Sequence, residues 1–95
     1  SHFVYILYGS GKRKYYIGET IDIKLRLERH NSGQVRSTKT GIPWKLIWSI
    51  ELETRSEALM LEKRIKKRGA KRYLEDNQFG GSVARLSRRV WDAEV

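Results

Sequence analysis

Arg26 and His30 are residue types that could act together on a phosphate ester. They are four residues apart, so on a helix their side chains lie on one face. An arginine there could grip a phosphate and offset the negative charge that develops in a transition state. The histidine could orient a nucleophile or bridge to the phosphate. The alternative for this pair is a solvated basic helix face.

Glu62 lies at the edge of an apolar stripe that Ala58 and Ile65 form in a predicted helix. A carboxylate in that position is costly unless it pairs with a cation or binds a metal ion. Magnesium is usually held by one or two carboxylates together with phosphate oxygens and water molecules. Glu62 is therefore a candidate ligand for Mg²⁺ or Mn²⁺. A structural ion pair with a nearby basic side chain is the alternative.

Tyr5 and Tyr16 fall in two short β-rich segments joined by a glycine-containing turn, which predicts a hairpin. On paired strands their hydroxyls could converge on one site. A free tyrosine has a pKa of about 10, so a base role needs cationic neighbours or a chain of hydrogen bonds. Core packing is the alternative for each tyrosine. Gly18 suits either a close approach of the backbone to a neighbour or a simple strand end.

The composition suits a polyanionic partner. Twenty Lys and Arg residues against eleven Asp and Glu residues give a net charge of +9, and such a chain gains by neutralising phosphates and releasing their counterions. A merely soluble basic surface is the alternative. The chain has no cysteine, which excludes disulfides, thiolate catalysis and cysteine-bound metal clusters. Basic residues of a loop, a strand and a helix are predicted to contact nucleic acid: Arg36, Lys39, Lys45, Lys63, Lys66 and Lys67.

To position these groups, the pattern predicts a small α+β domain in which helices flank a three-stranded antiparallel sheet. The predicted order is β-β-α-β-α-α, with strands over residues 3–8, 15–18 and 44–53, helices over 23–30, 57–68 and 70–76, and a polar loop over 34–43. Thr20 or Asp22 is expected to cap the first helix; Ser56 is expected to cap the second, which ends at Gly69. Alternating residues of the third strand are predicted to share a face: Trp44, Leu46, Trp48, Ile50 and Leu52.

These residues follow the pattern of the GIY-YIG nucleases, which the chain resembles over residues 3–76. Val4-Tyr5-Ile6 stands at the first family motif and keeps a tyrosine, and Tyr16-Ile17-Gly18 matches the second motif in full. Arg26 to His30 matches the Arg-x-x-x-His of the first helix. Glu62 falls where the family places its metal-binding glutamate on the second helix.

The resemblance implies a single-metal endonuclease that hydrolyses phosphodiester bonds, of DNA more than RNA. Arg26 and His30 would act on the phosphate and nucleophile, and Glu62 would hold Mg²⁺ or Mn²⁺. One tyrosine would activate the attacking water while the other positions it, with Tyr5 favoured as the base. Residues 77–95 are predicted to be a C-terminal extension without chemistry of its own.

Two other functions stay open: a catalytically inactive nucleic-acid-binding module that keeps the fold, and a basic protein of larger assemblies. Metal-dependent cleavage would distinguish the endonuclease from both of these alternatives.

No apolar run is long enough to span a bilayer and no signal-peptide hydrophobic region is present. A cytoplasmic location without membrane contact or an obligate protein partner is therefore expected.

Overall fold

The computed structural model describes residues 1–79, so most of the predicted C-terminal extension lies outside the described residues. The chain order is β1 (His2–Gly9), β2 (Lys14–Thr20), α1 (Ile23–Ser32), a 3-10 helix (Arg36–Gly41), β3 (Trp44–Leu52), α2 (Arg55–Arg68) and α3 (Ala70–Phe79). The strands form one antiparallel sheet in the order β2-β1-β3. The predicted α+β class and element order are confirmed, although α3 continues beyond its predicted end at residue 76.

The central strand β1 divides the core in two, because its side chains alternate between the faces of the sheet. Val4 and Ile6 pack on one face against α2 and α3, where Ala58 and Ile65 are fully buried. Tyr5 and other β1 side chains pack on the opposite face, against α1 and the start of β3. The apolar run of β1 is thus buried on both sides.

The prediction that five alternating residues of β3 share one face is wrong. The pairing of β3 with β1 shifts by one residue at Ile47, so the alternation reverses at this bulge. The two groups that result are Trp44 with Leu46 on the α1 side and Trp48 with Ile50 and Leu52 on the α2 side. Strict alternation assumes an unbroken ladder, and nothing local in the segment signals the extra residue.

Capping side chains set the helix boundaries. Asp22 accepts a hydrogen bond from a backbone N–H in the first turn of α1, as one of the two predicted caps. The expected Ser56 cap of α2 is wrong, because the helix begins two residues earlier than that cap requires, with Thr54 as its cap. The Thr54 hydroxyl accepts from the Glu57 N–H at 3.1 Å and the Glu57 carboxylate accepts from the Thr54 N–H at 3.2 Å. This reciprocal capping box satisfies two backbone donors, and α2 ends at Gly69 as predicted.

The predicted loop over residues 34–43 contains the 3-10 helix and is tied to the sheet. The Asn31 side chain accepts a hydrogen bond from the Trp44 N–H at 2.6 Å and donates one to the Trp44 carbonyl at 3.0 Å. The Trp44 indole N–H donates to the Thr38 carbonyl at 2.8 Å. These bonds hold the segment against the same face of the sheet as Tyr5.

Candidate active site

Pairing of β1 with β2 brings two phenols together on the α1 side of the sheet. Tyr5 lies opposite Gly18 in the ladder and Tyr16 lies opposite Leu7. The ring centroids of the two tyrosines are 6.2 Å apart. Tyr5 is 1% exposed, whereas Tyr16 is half-buried and reaches solvent. The hairpin therefore delivers one buried and one accessible phenol to a single region.

Gly18 is a position of close approach. A Cβ built there would lie 2.5 Å from the Tyr5 hydroxyl oxygen and 2.6 Å from the ring carbon that bears it. Real side chains do not approach each other so closely, and the buried Tyr5 ring has little room to yield. Glycine at this position is what allows the Tyr5 hydroxyl to lie over β2.

His30 is 1% exposed and is held between two hydroxyl groups. Its Nδ1 lies 2.8 Å from the Thr38 Oγ1, and its Nε2 lies 3.4 Å from the Tyr5 hydroxyl oxygen. The Thr38 hydroxyl donates to the Val35 carbonyl, so it accepts from the Nδ1–H of the imidazole. Nε2 is then the unprotonated nitrogen and accepts from Tyr5. Both ring nitrogens of His30 thus lie within hydrogen-bonding distance of hydroxyl groups of this chain.

Charged groups of both signs act on the Tyr5 phenol. Burial raises the pKa of Tyr5 above its ordinary value, and the neighbouring Tyr16 raises it further. The nearby positive charge of Arg26 opposes this rise in the pKa, while the Glu62 carboxylate adds a smaller increase. Burial, and next the charge of Arg26, lowers the pKa of His30. At neutral pH Tyr5 therefore keeps its proton and His30 is neutral.

Glu62 lies on α2 in an ion pair that is not sealed from solvent. Its Oε2 is 2.8 Å from the Lys66 Nζ one turn further along, and the side chains of Glu62 and Lys66 are 17% and 57% exposed. The described residues contain no group of three or more His, Cys, Asp or Glu side chains that could hold a metal. A cation at Glu62 would take its other ligands from water and phosphate, a donor set that magnesium accepts.

The basic residues predicted to contact nucleic acid lie on three elements and are all exposed. Arg36 and Lys39 belong to the 3-10 helix, on the side of the sheet that carries Trp44. Lys45 follows at the start of β3. The other three lie on α2, which packs on the opposite face of the sheet: Lys63, Lys66 and Lys67. Lys66 differs from the rest of the set in that it already pairs with Glu62.

Three residues that sequence reasoning did not connect with the site support it. Thr38 fixes the tautomer of His30, while Asn31 and Trp44 fix the segment that carries Thr38. Asn31 and Trp44 are 13 residues apart and sit on different elements. Their mutual hydrogen bonds leave no periodic pattern in the sequence. The only local signal is a polar side chain near the end of an otherwise amphipathic helix.

The chain is similar to known proteins along most of its described length. Residues 1–74 match the family model described as the GIY-YIG catalytic domain. The chain is 40% identical over 62 residues to the UPF0213 protein YsiG of Lactococcus lactis, and the match covers 64% of this chain and 59% of that protein. It is 43% identical over 67 residues to a UPF0213 protein of Staphylococcus aureus strain Mu3, covering 70% of this chain and 80% of that protein. The match thus spans less than two thirds of the lactococcal relative, and neither name states an activity. No solved structure gives a significant match.

Within the described residues, no helix combines the length and apolarity needed to cross a membrane.

Proposed function

Because the chain belongs to the family of the GIY-YIG catalytic domain, a nuclease family, we propose that it is a metal-dependent endonuclease. Its substrate is the phosphodiester backbone of nucleic acid, with DNA favoured over RNA. The observation that carries the proposal is the buried contact of the Tyr5 hydroxyl with a neutral His30, on a phenol whose pKa the charges of Arg26 and Glu62 also affect. A purely structural aromatic core has no need of charged groups of both signs around one phenol.

The chain's own residues can move a proton away from an attacking water. Tyr5 takes a proton from the water as it gives its own proton to Nε2 of His30, 3.4 Å away. This relay avoids a free phenolate, which burial disfavours, and such contacts commonly shorten when substrate binds. The Thr38 hydroxyl, which accepts from Nδ1–H, holds the imidazole in the tautomer that the relay needs. The leaving oxygen takes its proton from solvent.

Arg26 and Tyr16 bind and orient the phosphate. Both are half-buried on the same side of the sheet as Tyr5, so each can reach into the site and still meet substrate. The guanidinium of Arg26 offsets charge that builds up on the non-bridging oxygens. Tyr16 contributes an accessible hydroxyl that positions the water or the phosphate.

Glu62 is the residue that would hold Mg²⁺ or Mn²⁺. Such an ion, when bound, supplies charge neutralisation at the phosphate and at the leaving oxygen. Lys66 must first release the carboxylate. Because the ammonium is more than half exposed, that release exchanges a weak ion pair for hydration of the lysine.

A binding module without catalysis is the second candidate, and the Glu62–Lys66 ion pair is the observation that favours it. A carboxylate that is already paired with an ammonium needs no metal to offset its charge. The two candidates agree on the partner, nucleic acid, and differ only in whether a metal ion at Glu62 leads to cleavage.

The test compares wild type with Glu62→Gln on labelled single- and double-stranded DNA and RNA, with Mg²⁺ or Mn²⁺ and with EDTA. Wild type is expected to cut only with a metal ion. The variant is expected to bind with unchanged affinity and to cut at least roughly 100-fold more slowly, because it loses the charge that holds the cation. Glu53→Gln, which removes an exposed carboxylate elsewhere, serves as the matched control.

Each outcome of this experiment is decisive. Cleavage that persists in EDTA, or that survives in Glu62→Gln, contradicts the metal role of Glu62. Wild-type protein that binds and does not cut under any of these conditions establishes the binding module instead.

A further inference from the structure

An open cavity of about 140 Å³ lies beside Tyr16. Its walls come from the turn between β1 and β2, from the 3-10 helix and from the start of β3. Tyr5, Arg26 and Glu62 do not line it. Tyr16 and Thr38 do, and each also contacts His30: the ring centroids of Tyr16 and His30 are 4.7 Å apart. The cavity is therefore separate from Tyr5, Arg26 and Glu62 and shares Tyr16 with the proposed catalytic site.

The walls of the cavity are joined by backbone hydrogen bonds. The Gly11 N–H donates to the Gly41 carbonyl at 3.2 Å, and the Ser10 N–H donates to the Pro43 carbonyl at 3.2 Å. A Cβ at Gly11 would lie 2.7 Å from the Thr40 carbonyl oxygen, so only glycine allows the turn to approach this closely. The cavity is thus built into the fold before any ligand arrives, which lowers the entropic cost of binding.

The chemistry of the lining favours an anion. Lys12 and Lys14 supply two ammonium groups, Ser37 and Thr40 supply hydroxyls, and no acidic side chain among the described residues lines the cavity. Its volume is well below the roughly 300–1,000 Å³ of pockets that hold a drug-sized ligand. It therefore suits a single phosphate group and is too small for a whole nucleotide.

We propose that this cavity binds the phosphodiester group next to the scissile one and so sets the position of the strand on the enzyme. The inference rests on the proposed endonuclease function and adds a substrate requirement to it: two consecutive phosphates. Lys12 and Lys14 neutralise the second phosphate, and the hydroxyls donate hydrogen bonds to its oxygens. Tyr16 is the shared wall that separates the two phosphate positions.

The first arm of the test measures phosphate binding without cleavage. Inorganic phosphate is titrated into ¹⁵N-labelled protein, and the Gly11 backbone N–H and Trp44 indole N–H signals are followed by NMR. Both are expected to shift in wild type and to stay in place in Lys12→Gln/Lys14→Gln. The control Lys24→Gln/Lys71→Gln removes the same charge from exposed positions on α1 and α3 and should respond as wild type.

The second arm measures cleavage of a single-stranded oligonucleotide and of a dinucleotide that has one phosphodiester. Lys12→Gln/Lys14→Gln is expected to raise KM for the oligonucleotide at least about tenfold, the effect of losing charged hydrogen bonds to one phosphate. The salt slope of oligonucleotide binding, measured in the Glu62→Gln background, should fall by roughly 0.7. Hydrolysis of the dinucleotide should be unchanged.

Equal effects on both substrates, or no effect beyond that of the control pair, would overturn the assignment. Phosphate-induced shifts without any effect of the double substitution on oligonucleotide binding would identify a site for free phosphate instead. If wild type cuts nothing, the proposed endonuclease fails, while the NMR and oligonucleotide-binding arms still decide the cavity.

Discussion

Tyr5 and Gly18 face each other across two strands, and the space above Gly18 is filled by the Tyr5 hydroxyl. The hydroxyl of the same phenol lies 3.4 Å from Nε2 of His30, and the positive charge of Arg26 lowers its pKa. A methyl group added at position 18 would therefore displace the Tyr5 hydroxyl, which is part of the proposed proton relay. Packing at Gly18 and the position of a candidate catalytic group are therefore directly linked.

Gly18→Ala is expected to destabilise the fold by about 1–3 kcal/mol, the usual cost of forcing extra volume into a packed core. It should also reduce cleavage in protein that is still folded, because the Tyr5 ring has to move away from His30. Circular-dichroism melting and a cleavage assay below the melting temperature measure the two effects.

Gly69→Ala is the control for this substitution. A Cβ at Gly69 meets nothing within 4 Å, and its backbone φ of +96° makes an alanine there strained. The control should lose stability without losing cleavage. Equal loss of cleavage in both variants would show that position 18 matters only for stability.

The pH dependence of stability should carry a contribution from His30. Burial holds the folded-state pKa of His30 below its unfolded value of about 6.5. Below that value the unfolded chain takes up a proton that the folded protein refuses. The stabilising contribution is therefore complete above pH 6.5 or so and is lost as the pH falls from there toward the folded-state pKa.

Urea unfolding at a series of pH values between about 7.5 and 5 measures this contribution. The free energy of unfolding should decline across the series in wild type and decline less in His30→Asn, which does not titrate. The hydrogen bond from Arg68 lowers the pKa of the Asp76 carboxyl below its ordinary value of 3.8. Its effect on stability therefore lies at lower pH than this series. Identical slopes in wild type and variant would refute the burial of a neutral histidine.

At the scale of elements, the start of α2 is fixed by the side chains of Thr54 and Glu57. This boundary matters for the site because α2 carries Glu62. Ser56, the cap expected from residue type, lies inside the helix and is exposed. The Thr54–Glu57 pair forms the cap because it satisfies two backbone donors, whereas a lone serine satisfies one.

Thr54→Ala should therefore cost about 1 kcal/mol of unfolding free energy, as loss of an N-cap does. Ser56→Ala should stay within roughly 0.5 kcal/mol of wild type, as exposed substitutions usually do. Chemical denaturation of the two variants beside wild type makes the comparison. A larger loss in Ser56→Ala than in Thr54→Ala would contradict the capping box.

The bulge at Ile47 has the same kind of consequence for β3. Without it, Trp44 would lie on the same face as Trp48, in the core beside α2. With it, Trp44 turns to the α1 side, where its indole N–H bonds the Thr38 carbonyl. The bulge thus allows one strand to serve the core at one end and the candidate site at the other.

At the scale of the whole molecule, both core clusters and every candidate catalytic residue lie within the part of the chain that the structure describes. The family match ends at residue 74, inside α3. The prediction that residues 77–95 form an extension without chemistry therefore leads to a truncation experiment.

A chain that ends at residue 79 is expected to unfold cooperatively and to cut at the rate of the full sequence. The two proteins are compared by thermal melting and by the cleavage assay used for Glu62→Gln. Loss of cleavage in a truncated chain that still folds would assign the extension a part in the reaction.

The sequence by itself determined the features that depend on local periodicity. The order of elements and the shared face of Arg26 and His30 follow from repeats of two and of about 3.6 residues. The same periodicity placed Glu62 beside the buried stripe of α2. The motifs then indicated the family, because their order matches the order of the elements.

Tertiary structure decided everything that joins residues distant in the chain. The bulge opposite β1, the bond between His30 and Thr38, the Trp44–Asn31 clamp and the cavity walls are contacts between separate elements. A periodic pattern fixes which side of its own element a residue occupies. It carries no information on which residue of another element lies opposite. The proposed proton relay and the proposed second phosphate position depend on such contacts between elements, so they could be inferred only from the folded chain.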